Sequence, residues 1–300
     1  MARSVFPALL LLSLIWGGSY SFIKILLEDF GPWTVVFLRT FLGTAVVAIG
    51  MLAMREKFPI RNIPWLSVMG MALVNTCLPW ALIGFSETRL SSSMASVLNA
   101  TTPLWSLAAG VLIFGASAYR KQWIGMGAAM VGLLVLVGLN RESVISVDVV
   151  GFAGMMAASL FYGIGAQWSK RLLSVLSTTQ ATFCTLFFSM IGSGVMAFST
   201  EHVPFERLVV PQNMVVMAGL GLIGSGIAYL LFYRIVQKGG PVYATMVTYL
   251  LPACSLVWGA TLMHETIPIR TVAGLALILA GVYWANRTHR PRSLKPAVEG

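Results

Sequence analysis

Polar side chains recur at helical spacing inside two apolar stretches of the chain, where they could line a binding cavity. The stretches, 97–115 and 246–264, align without a gap, and each has a proline near its middle, Pro103 and Pro252. The polar residues around the two prolines fall on one helical face and are Ser92, Ser96, Asn99, Ser106, Thr245, Thr248 and Ser255. Such a face either borders water or packs neighbouring helices through small side chains. Asn99 favours a cavity, because an amide in an apolar run needs a polar partner.

Aromatic and amide side chains collect on the other stretches expected around the same centre. Tryptophan and tyrosine present flat apolar faces with polar tips, which suit amphipathic or aromatic solutes and cation–π contacts. Taken with the polar stripes, the predicted substrate-cavity residues are Trp16, Tyr20, Asn75, Trp80, Ser96, Asn99, Tyr162, Gln167, Tyr229, Thr248 and Tyr249. These residue types are also common in helix packing and at membrane interfaces, so packing is the alternative at each position.

The two prolines are predicted to interrupt their helices. Pro103 and Pro252 each lack a backbone N–H and crowd the carbonyl four residues earlier, at Asn99 and Thr248. Interrupted helices at matching positions in a membrane protein point to the binding site. Both prolines are therefore hinge candidates, and a kink that neighbouring helices repair is the alternative.

Arg39 is the charged residue that lies deepest in an apolar run. An arginine deep in the bilayer costs about 2.5–3.5 kcal/mol on insertion scales, so it should face protein or water and find an anion. Arg39 either holds a substrate carboxylate or pairs with Glu87 at the end of the third run, and we favour a structural or gating pair with Glu87. The repeat described below places Leu186 near the equivalent position, so this charge is expected in one half only.

The elements that position these residues are predicted to be membrane-spanning helices. Of the 300 residues 57% are hydrophobic and only 10% charged, and the mean hydropathy is +0.83, far outside the range of soluble domains. About 20 apolar residues cross a bilayer as a helix. The predicted fold class is all-α integral membrane with ten transmembrane helices, at 5–27, 32–54, 63–85, 91–114, 123–139, 149–169, 179–199, 213–235, 241–262 and 268–287.

The chain is predicted to contain two copies of one five-helix unit. Residues 14–24 parallel 160–170 at nearly the offset that relates the two proline stretches, which places the repeats at 1–140 and 141–300. Because five is odd, the second copy inserts upside down, the inverted-repeat arrangement of many secondary transporters. The first run continues to Leu27, which is too long for the apolar core of a secretory signal, the alternative interpretation of the N-terminus.

Loop charges predict the orientation and the partners. Lys and Arg concentrate in alternate loops, and such loops are cytoplasmic by the positive-inside rule, so both termini are predicted to be cytoplasmic, the second followed by a short basic tail. The net charge of +10 follows from this asymmetry, and a nucleic-acid partner is not needed to explain it. The expected partners are the lipid bilayer and a small-molecule substrate, and a monomer is compatible with the pattern.

No motif of an enzyme, a metal site or a cofactor site is convincing, so no cofactor or metal is expected. The three cysteines lie in apolar runs without ligand spacing. Gly219, Gly221 and Gly224 spell G-x-G-x-x-G, but no strand precedes them, and close helix packing explains them better. The chain has no phosphate-binding loop for ATP-driven transport and no carboxylate at the centre of a run for proton coupling. A facilitator driven by the substrate gradient is the simpler mechanism.

Several of these features resemble the EamA group of the drug/metabolite transporter superfamily. The residues that carry the resemblance are Ile15-Trp16-Gly17 through Lys24, Phe37-Leu38-Arg39, and the Pro103 and Pro252 helices followed by Gly125 and Gly274. The resemblance implies ten helices in two inverted halves and export of small metabolites, such as amino acids, or of lipophilic compounds. The family often ends its fourth and ninth helices in Gly-Glu, whereas this chain has Gly115-Ala116 and His264-Glu265.

The sequence therefore predicts a secondary transporter or facilitator of the bacterial inner membrane. Its expected activity is export of small metabolites, first of all amino acids including aromatic ones, by alternating access. An exporter of lipophilic cationic drugs is the main alternative. A channel, a membrane scaffold and a membrane-embedded enzyme are remote alternatives, and transport by the purified chain that saturates with substrate would separate them from a carrier.

Overall fold

The computed structural model describes residues 5–56, 58, 63–90, 92–137 and 148–263, with a few positions between 273 and 281. This part of the chain is helical and contains no strand. Its helices are α1 (Phe6–Leu26), α2 (Pro32–Ala53), α3 (Trp65–Glu87), α4 (Ser92–Asn99), α5 (Thr102–Leu112), α6 (Arg120–Val137), α7 (Val149–Leu172), α8 (Thr178–Thr200), α9 (Pro211–Gly239), α10 (Pro241–Thr245) and α11 (Val247–Met263). The predicted last span, 268–287, falls almost entirely outside the described residues.

Six of the described helices are long and apolar enough to cross a membrane, namely α1, α2, α3, α7, α8 and α9. Their bounds agree with six of the predicted spans to within a few residues. The predicted fourth span is occupied by α4 and α5 together, and the predicted ninth by α10 and α11. Helix α6 lies at the predicted fifth span. The apolar runs of the sequence therefore become helices at the expected places, because a spanning segment in lipid must satisfy its backbone hydrogen bonds internally.

Helices of the first predicted repeat pack mainly on helices of the second. Helix α1 lies on α11 and α7 lies on α5, while α2 lies on α9 and α8 lies on α3. In the same way α1 contacts α9 and α7 contacts α3, and α2 and α8 pack on each other. Each of these contacts between the two predicted repeats recurs with the repeats exchanged. The residues at the centre of the molecule are consequently supplied by both.

Two of the long helices contain a wider π-helical segment. In α3 it spans Leu73–Cys77, and in α9 it spans Gly219–Ile227. The offset that relates Pro103 to Pro252 places the first segment inside the second. π-helical turns are rare and recur at functional sites. These segments could not be predicted from the sequence, because one extra residue in a helical turn does not change the pattern of a run that is apolar on every side.

The glycines of the G-x-G-x-x-G sequence lie in the π-helical segment of α9 and serve packing. A Cβ atom on Gly221 would stand 2.5 Å from the Leu42 Cβ of α2, and one on Gly219 would stand 2.9 Å from the ring of Phe22 in α1. Contacts that short do not occur between real side chains, so glycine lets α1 and α2 approach the backbone of α9. The packing interpretation of this motif is therefore supported.

The interruptions near the two prolines are not equivalent, which corrects the predicted symmetry of the kinks. Helix α4 ends at Asn99 and α5 begins at Thr102, so Pro103 lies in the first turn of α5, where a missing N–H needs no acceptor. The carbonyl of Asn99 accepts a hydrogen bond from Thr102 Oγ1 at 2.6 Å. In the other stretch the break is at Met246, and Pro252 lies inside the continuous α11.

Two carboxylates join the ends of the central pair α2 and α8. Glu201, directly after α8, accepts hydrogen bonds from the backbone N–H of Trp33 and Thr34 at 2.9 and 2.8 Å, and from Thr34 Oγ1 at 2.8 Å. These groups lie at the start of α2, where N–H groups have no partner within the helix. Glu56, shortly after α2, accepts a hydrogen bond from Ser177, the N-cap of α8. Each helix end is therefore fixed by a carboxylate that follows the other helix.

Candidate substrate cavity

An internal cavity of about 50 Å³ lies where the two predicted repeats meet. On this measure a water molecule needs roughly 10–15 Å³, so the cavity has room for only a few waters. Its wall combines aromatic rings, hydroxyl and amide groups, aliphatic side chains and one arginine. The lining residues are Trp16, Ser19, Tyr20, Ile23, Arg39, Asn75, Trp80, Ile83, Asn99, Thr102, Tyr162, Tyr229, Phe232, Thr245, Val247, Thr248 and Leu251.

The structure brings most of the predicted cavity residues together. Those on the wall are Trp16, Tyr20, Asn75, Trp80, Asn99, Tyr162, Tyr229 and Thr248. Gln167 and Tyr249 do not lie on the wall: Gln167 Nε2 donates to the carbonyl of Ser106 in α5 at 2.7 Å, and the Tyr249 hydroxyl donates to the carbonyl of Met126 in α6 at 3.5 Å. Ser96 is buried within α4 and is also absent from the wall.

Simple helical geometry explains why Gln167 faces away from the cavity. It follows Tyr162 by five residues, which is roughly 140° around an α-helix, so the two side chains point to different neighbours. The wall residues that the sequence analysis missed are Ser19, Ile23, Ile83, Thr102, Phe232, Thr245, Val247 and Leu251. Thr245 had been placed on the polar stripe but not in the cavity. The aliphatic residues carry no signal that separates a cavity wall from ordinary lipid-facing or core positions.

Tyr229 is the centre of the aromatic part of the wall. Its ring packs edge-on against Trp80 at 5.4 Å and against Trp16 at 5.9 Å, measured between ring centroids. Its hydroxyl accepts a hydrogen bond from Thr76 Oγ1 at 2.9 Å and donates one to the carbonyl of Asn75 at 3.0 Å. Such edge-to-face contacts add about 0.5–1.5 kcal/mol beyond the buried area. The contacts with the two tryptophan rings and the hydrogen bonds of the hydroxyl therefore hold the Tyr229 ring in one orientation.

Both π-helical segments are closed by an aromatic residue of the cavity wall. The carbonyl of Asn75, in α3, accepts from the Tyr229 hydroxyl of α9. The carbonyl of Gly224, in α9, accepts from Trp16 Nε1 of α1 at 2.9 Å. A π-helical turn leaves a backbone carbonyl without its usual helical donor, and an unpaired buried carbonyl is unfavourable. The cavity aromatics thus stabilise the two irregular segments as well as forming the wall.

Amide and hydroxyl groups behind the wall form a second network. Asn75 Nδ2 donates to the Tyr233 hydroxyl at 3.3 Å, and that hydroxyl is also 2.7 Å from Thr185 Oγ1 in α8. The Oδ1 atom of Asn75 is buried, and no described residue donates a hydrogen bond to it. On the opposite side of the cavity the Tyr20 hydroxyl interacts with the Asn99 side chain. Each wall therefore carries an amide whose position is fixed by a tyrosine.

Arg39 lies on the wall with 5% of its surface exposed. Its guanidinium carbon stands 3.4 Å from the centroid of the Trp80 ring, a cation–π contact, and its Nε donates to Ser225 Oγ at 3.1 Å. Among the described residues no carboxylate oxygen lies within 4.0 Å of its nitrogens. The predicted ion pair with Glu87 is therefore absent from this structure, because Arg39 is directed across to α9 by Ser225.

Glu87 is fully buried at the end of α3 and lies outside the cavity wall. Its Oε2 accepts one hydrogen bond from Ser92 Oγ at 3.3 Å, and its Oε1 has no hydrogen-bond partner in the described part of the chain. The ammonium group of Lys24 donates to the backbone carbonyls of Glu87 and Leu90 and not to the carboxylate. Lys24 therefore fixes the end of α3, and neither basic residue forms an ion pair with Glu87 within 4.0 Å.

Comparison with known proteins agrees with this architecture. The EamA-like transporter family matches the chain twice, over residues 4–138 and 149–287. An uncharacterized inner membrane transporter of Escherichia coli strain K12, YedA, is 24% identical over 268 residues, which cover 88% of this chain and 84% of the relative. A probable amino-acid metabolite efflux pump of Salmonella typhimurium is 22% identical over 284 residues, covering 91% and 92%.

A solved crystal structure shares the fold. It superposes with a TM-score of 0.75 at 17% sequence identity and covers 95% of this chain and 97% of its own. At that level of identity the likeness describes the backbone arrangement alone.

Proposed function

We propose that this chain, which belongs to the EamA-like transporter family, transports small molecules across the membrane. It is a multi-pass inner-membrane protein with several apolar spanning helices. Its activity is secondary transport or facilitated export of small metabolites, with amino acids, including aromatic ones, as the first substrate class. The relative named as a probable amino-acid metabolite efflux pump supports this class.

The observation that carries the proposal is the cavity between the two matched segments. Its wall supplies flat aromatic surface from Trp16, Trp80 and Tyr229, hydrogen-bonding groups from Asn99 and its neighbours, and one cation. Amino acids present a carboxylate, an amine and an apolar side chain, and each finds a complementary group on this wall. A purely structural core would bury polar and charged groups of this kind only with their partners in place.

The ten-helix, inverted-repeat architecture is part of the proposal. Two matches of one family, at 4–138 and 149–287, support repeats at 1–140 and 141–300. The exchange of helix contacts between the repeats is what a two-fold axis produces, and an odd number of spans puts that axis in the membrane plane. With basic residues in alternate loops, both termini are then cytoplasmic.

Alternating access follows from the size of the cavity. The cavity of about 50 Å³ has room for only a few waters, so binding of an amino acid requires its walls to move apart, and a carrier moves them apart on one side of the membrane at a time. The helix breaks, at residues 100–101 and at Met246, are places where the backbone can bend with little loss of hydrogen bonds. In this proposal Pro103, in the first turn after one break, and Pro252, six residues beyond the other, are the hinge residues. Arg39, on the wall, and Glu87, buried at the end of α3, are the proposed gate residues, because their surroundings change when the helices that carry them move.

Counterflow in proteoliposomes tests the proposal. Purified protein is reconstituted into vesicles loaded with unlabelled amino acid, and uptake of the same labelled amino acid is followed for phenylalanine, tyrosine, leucine and threonine. A carrier gives saturable uptake that is faster in loaded than in empty vesicles. Failure of every amino acid and of other small metabolites to exchange would sink the proposal, and uptake without saturation or stimulation by internal substrate would indicate a channel.

A further inference from the structure

We propose that Arg39 is the receptor for a carboxylate of the substrate, so that the carrier selects carboxylic acids and rejects amphipathic cations. This inference rests on the proposed transport function and names the chemical class that its cavity takes. It replaces a role for Arg39 as the partner of Glu87. It also decides between the two substrate classes that the sequence leaves open, amino acids and lipophilic cationic drugs.

The guanidinium of Arg39 is held in place, but among the described residues no carboxylate lies within 4.0 Å of it to form an ion pair. Ser225 is the only hydrogen-bond acceptor of Arg39 among the described residues, and it binds Nε. The two terminal nitrogens remain available, and a planar carboxylate binds such a pair through two parallel hydrogen bonds. Trp80 supports one face of the guanidinium plane at 3.4 Å, which fixes the orientation in which it receives a ligand.

The charged groups around the cavity also favour an anionic substrate. Arg39 is the one charged residue on the described wall, and no carboxylate lines it. Nearby, Glu87 is buried and forms no ion pair within 4.0 Å with any residue that the structure describes, and the Lys24 ammonium lies against backbone carbonyls next to it. Two cations thus face one carboxylate in this region, and an anionic substrate group balances the excess. A cationic substrate would increase it.

A cation lines the cavity from the first repeat and not from the equivalent position of the second. Leu186 lies near the position equivalent to Arg39 in the second repeat, and it is fully buried in the apolar core. The cavity therefore offers one anion receptor and, around it, the aromatic surface of Trp16 and Tyr229. A molecule with one carboxylate and an apolar body fits this distribution in a single orientation. Dicarboxylates gain no second partner.

Competition in the counterflow assay tests the inference. Labelled phenylalanine is exchanged in the presence of three analogues that keep the ring: 3-phenylpropionate, which has only the carboxylate, phenethylamine, which has only the amine, and phenylalanine amide, which has the amine but no anion. We expect 3-phenylpropionate to inhibit at a concentration at least tenfold lower than the other two. Equal or stronger inhibition by phenethylamine or by the amide overturns the assignment of Arg39 and leaves the transport function intact.

Variants connect this preference to Arg39. The selectivity ratio is the inhibitory concentration of phenethylamine divided by that of 3-phenylpropionate. We expect Arg39→Gln to reduce this ratio at least tenfold. Arg39→Lys, which keeps the charge, should restore part of it. Ser225→Ala removes the bond to Nε and should weaken carboxylate inhibition severalfold. Arg207→Gln, at an exposed loop arginine, is the matched control and should leave the ratio unchanged. An unchanged ratio in folded Arg39→Gln overturns the inference.

The outcomes remain distinct if a variant is unstable or if phenylalanine is not carried. The analogue series is first run on the unmodified chain, so a poorly folded Arg39→Gln protein does not remove the test. If phenylalanine is not carried, the carboxylate-only, amine-only and amide analogues are made for the amino acid that exchanges fastest, and their inhibition of its exchange is compared. If no amino acid exchanges at all, the proposed function fails, and the inference fails with it.

Discussion

The third helices of the two matched segments, α3 and α9, share a backbone feature and differ in their chemistry. Both contain a π-helical segment at related positions, and in both an aromatic residue of the cavity donates to a carbonyl of that segment. Yet α3 carries Asn75 and Trp80 where α9 carries Gly224 and Tyr229. The repeat therefore preserves the shape of the cavity wall, while polar and charged groups have become concentrated on the side of the first segment.

The same contrast appears where the first helix of each segment meets the other segment. In α7, a Cβ atom on Gly163 would stand 2.6 Å from the backbone nitrogen of Ser106 in α5. In α1, a Cβ atom on Gly18 would meet only the Trp258 side chain of α11, at 3.3 Å. Helix α7 thus rests directly on the backbone of α5, whereas α1 rests on the Trp258 side chain, whose Nε1 donates to the carbonyl of Leu14 at 2.9 Å.

The largest expected effect comes from Gly163→Ala. Because the added methyl group meets backbone, α7 and α5 must separate, and overpacking of this kind destabilises by about 1–3 kcal/mol. Thermal unfolding in detergent measures the loss. Gly50→Ala in α2 is the control, since nothing lies within 4 Å of its Cβ position and alanine favours the helix by about 0.5–1 kcal/mol. Equal stability of the two variants would contradict the backbone contact.

A smaller effect is expected from removing the donors to the π-helical segments. Tyr229→Phe removes the hydroxyl that donates to Asn75, and Trp16→Phe removes the N–H that donates to Gly224. Each variant loses one hydrogen bond to a buried carbonyl, which destabilises by about 0.5–1.5 kcal/mol, and each should lower the counterflow rate severalfold. If the two segments are equivalent, the two losses are similar. A loss in only one variant would show that one segment alone shapes the cavity.

Glu201→Gln should have a more modest effect at the start of α2. The variant keeps one oxygen acceptor but loses the charge that favours the N-terminus of a helix, an interaction of about 0.3–1 kcal/mol. Thermal unfolding at low and high salt measures it, because screening weakens the charge but not the hydrogen bond. Glu206→Gln, at an exposed position in the following loop, should change nothing. Equal loss in both variants would remove the special role of Glu201.

The smallest effect is expected at the start of α7, which has a side-chain cap that α1 lacks. The backbone N–H of Gly151 and the nearby Arg89 guanidinium lower the pKa of Asp148, the N-cap of α7. Because the pKa is lower in the folded state, its contribution is present above the unfolded pKa of about 3.9 and is lost as the pH falls below it. Asp148→Asn should remove this pH dependence, measured by hydrogen exchange in the first turn of α7. An identical acid response in both chains would contradict the cap.

Much of the fold could be predicted from the sequence, because lipid imposes one requirement on every spanning segment. Apolar runs of sufficient length become helices, and their bounds match the structure closely, as for α1 and α2. The positions of the helix breaks could not be predicted in the same way. Proline indicates that a helix is disturbed nearby, but whether the break precedes Pro103 or lies six residues from Pro252 depends on packing with other helices.

The cavity was predicted in its chemistry and less well in its detail. Trp16, Trp80 and Tyr229 reach the wall, since large aromatic residues at the centre of a bundle have few other places to lie. Gln167 contacts α5 because it lies roughly 140° around α7 from Tyr162. Tyr249 contacts α6 because the break at Met246 sets the direction of the helix that carries it. The Arg39 and Glu87 pairing failed because Ser225, a serine inside a glycine-rich stretch, gave no sign that it would bind Arg39.

The most direct test of the account is protection of the cavity by substrate. In a chain whose three cysteines, Cys77, Cys184 and Cys254, are replaced by alanine, Ser19→Cys places one thiol on the cavity wall. The account predicts that the transported amino acid slows maleimide labelling of this thiol, with half-protection at the concentration that half-saturates counterflow, and leaves labelling at an exposed Ser174→Cys unchanged. Unprotected labelling of Ser19→Cys in a chain that still transports would contradict the assignment of this cavity as the substrate site.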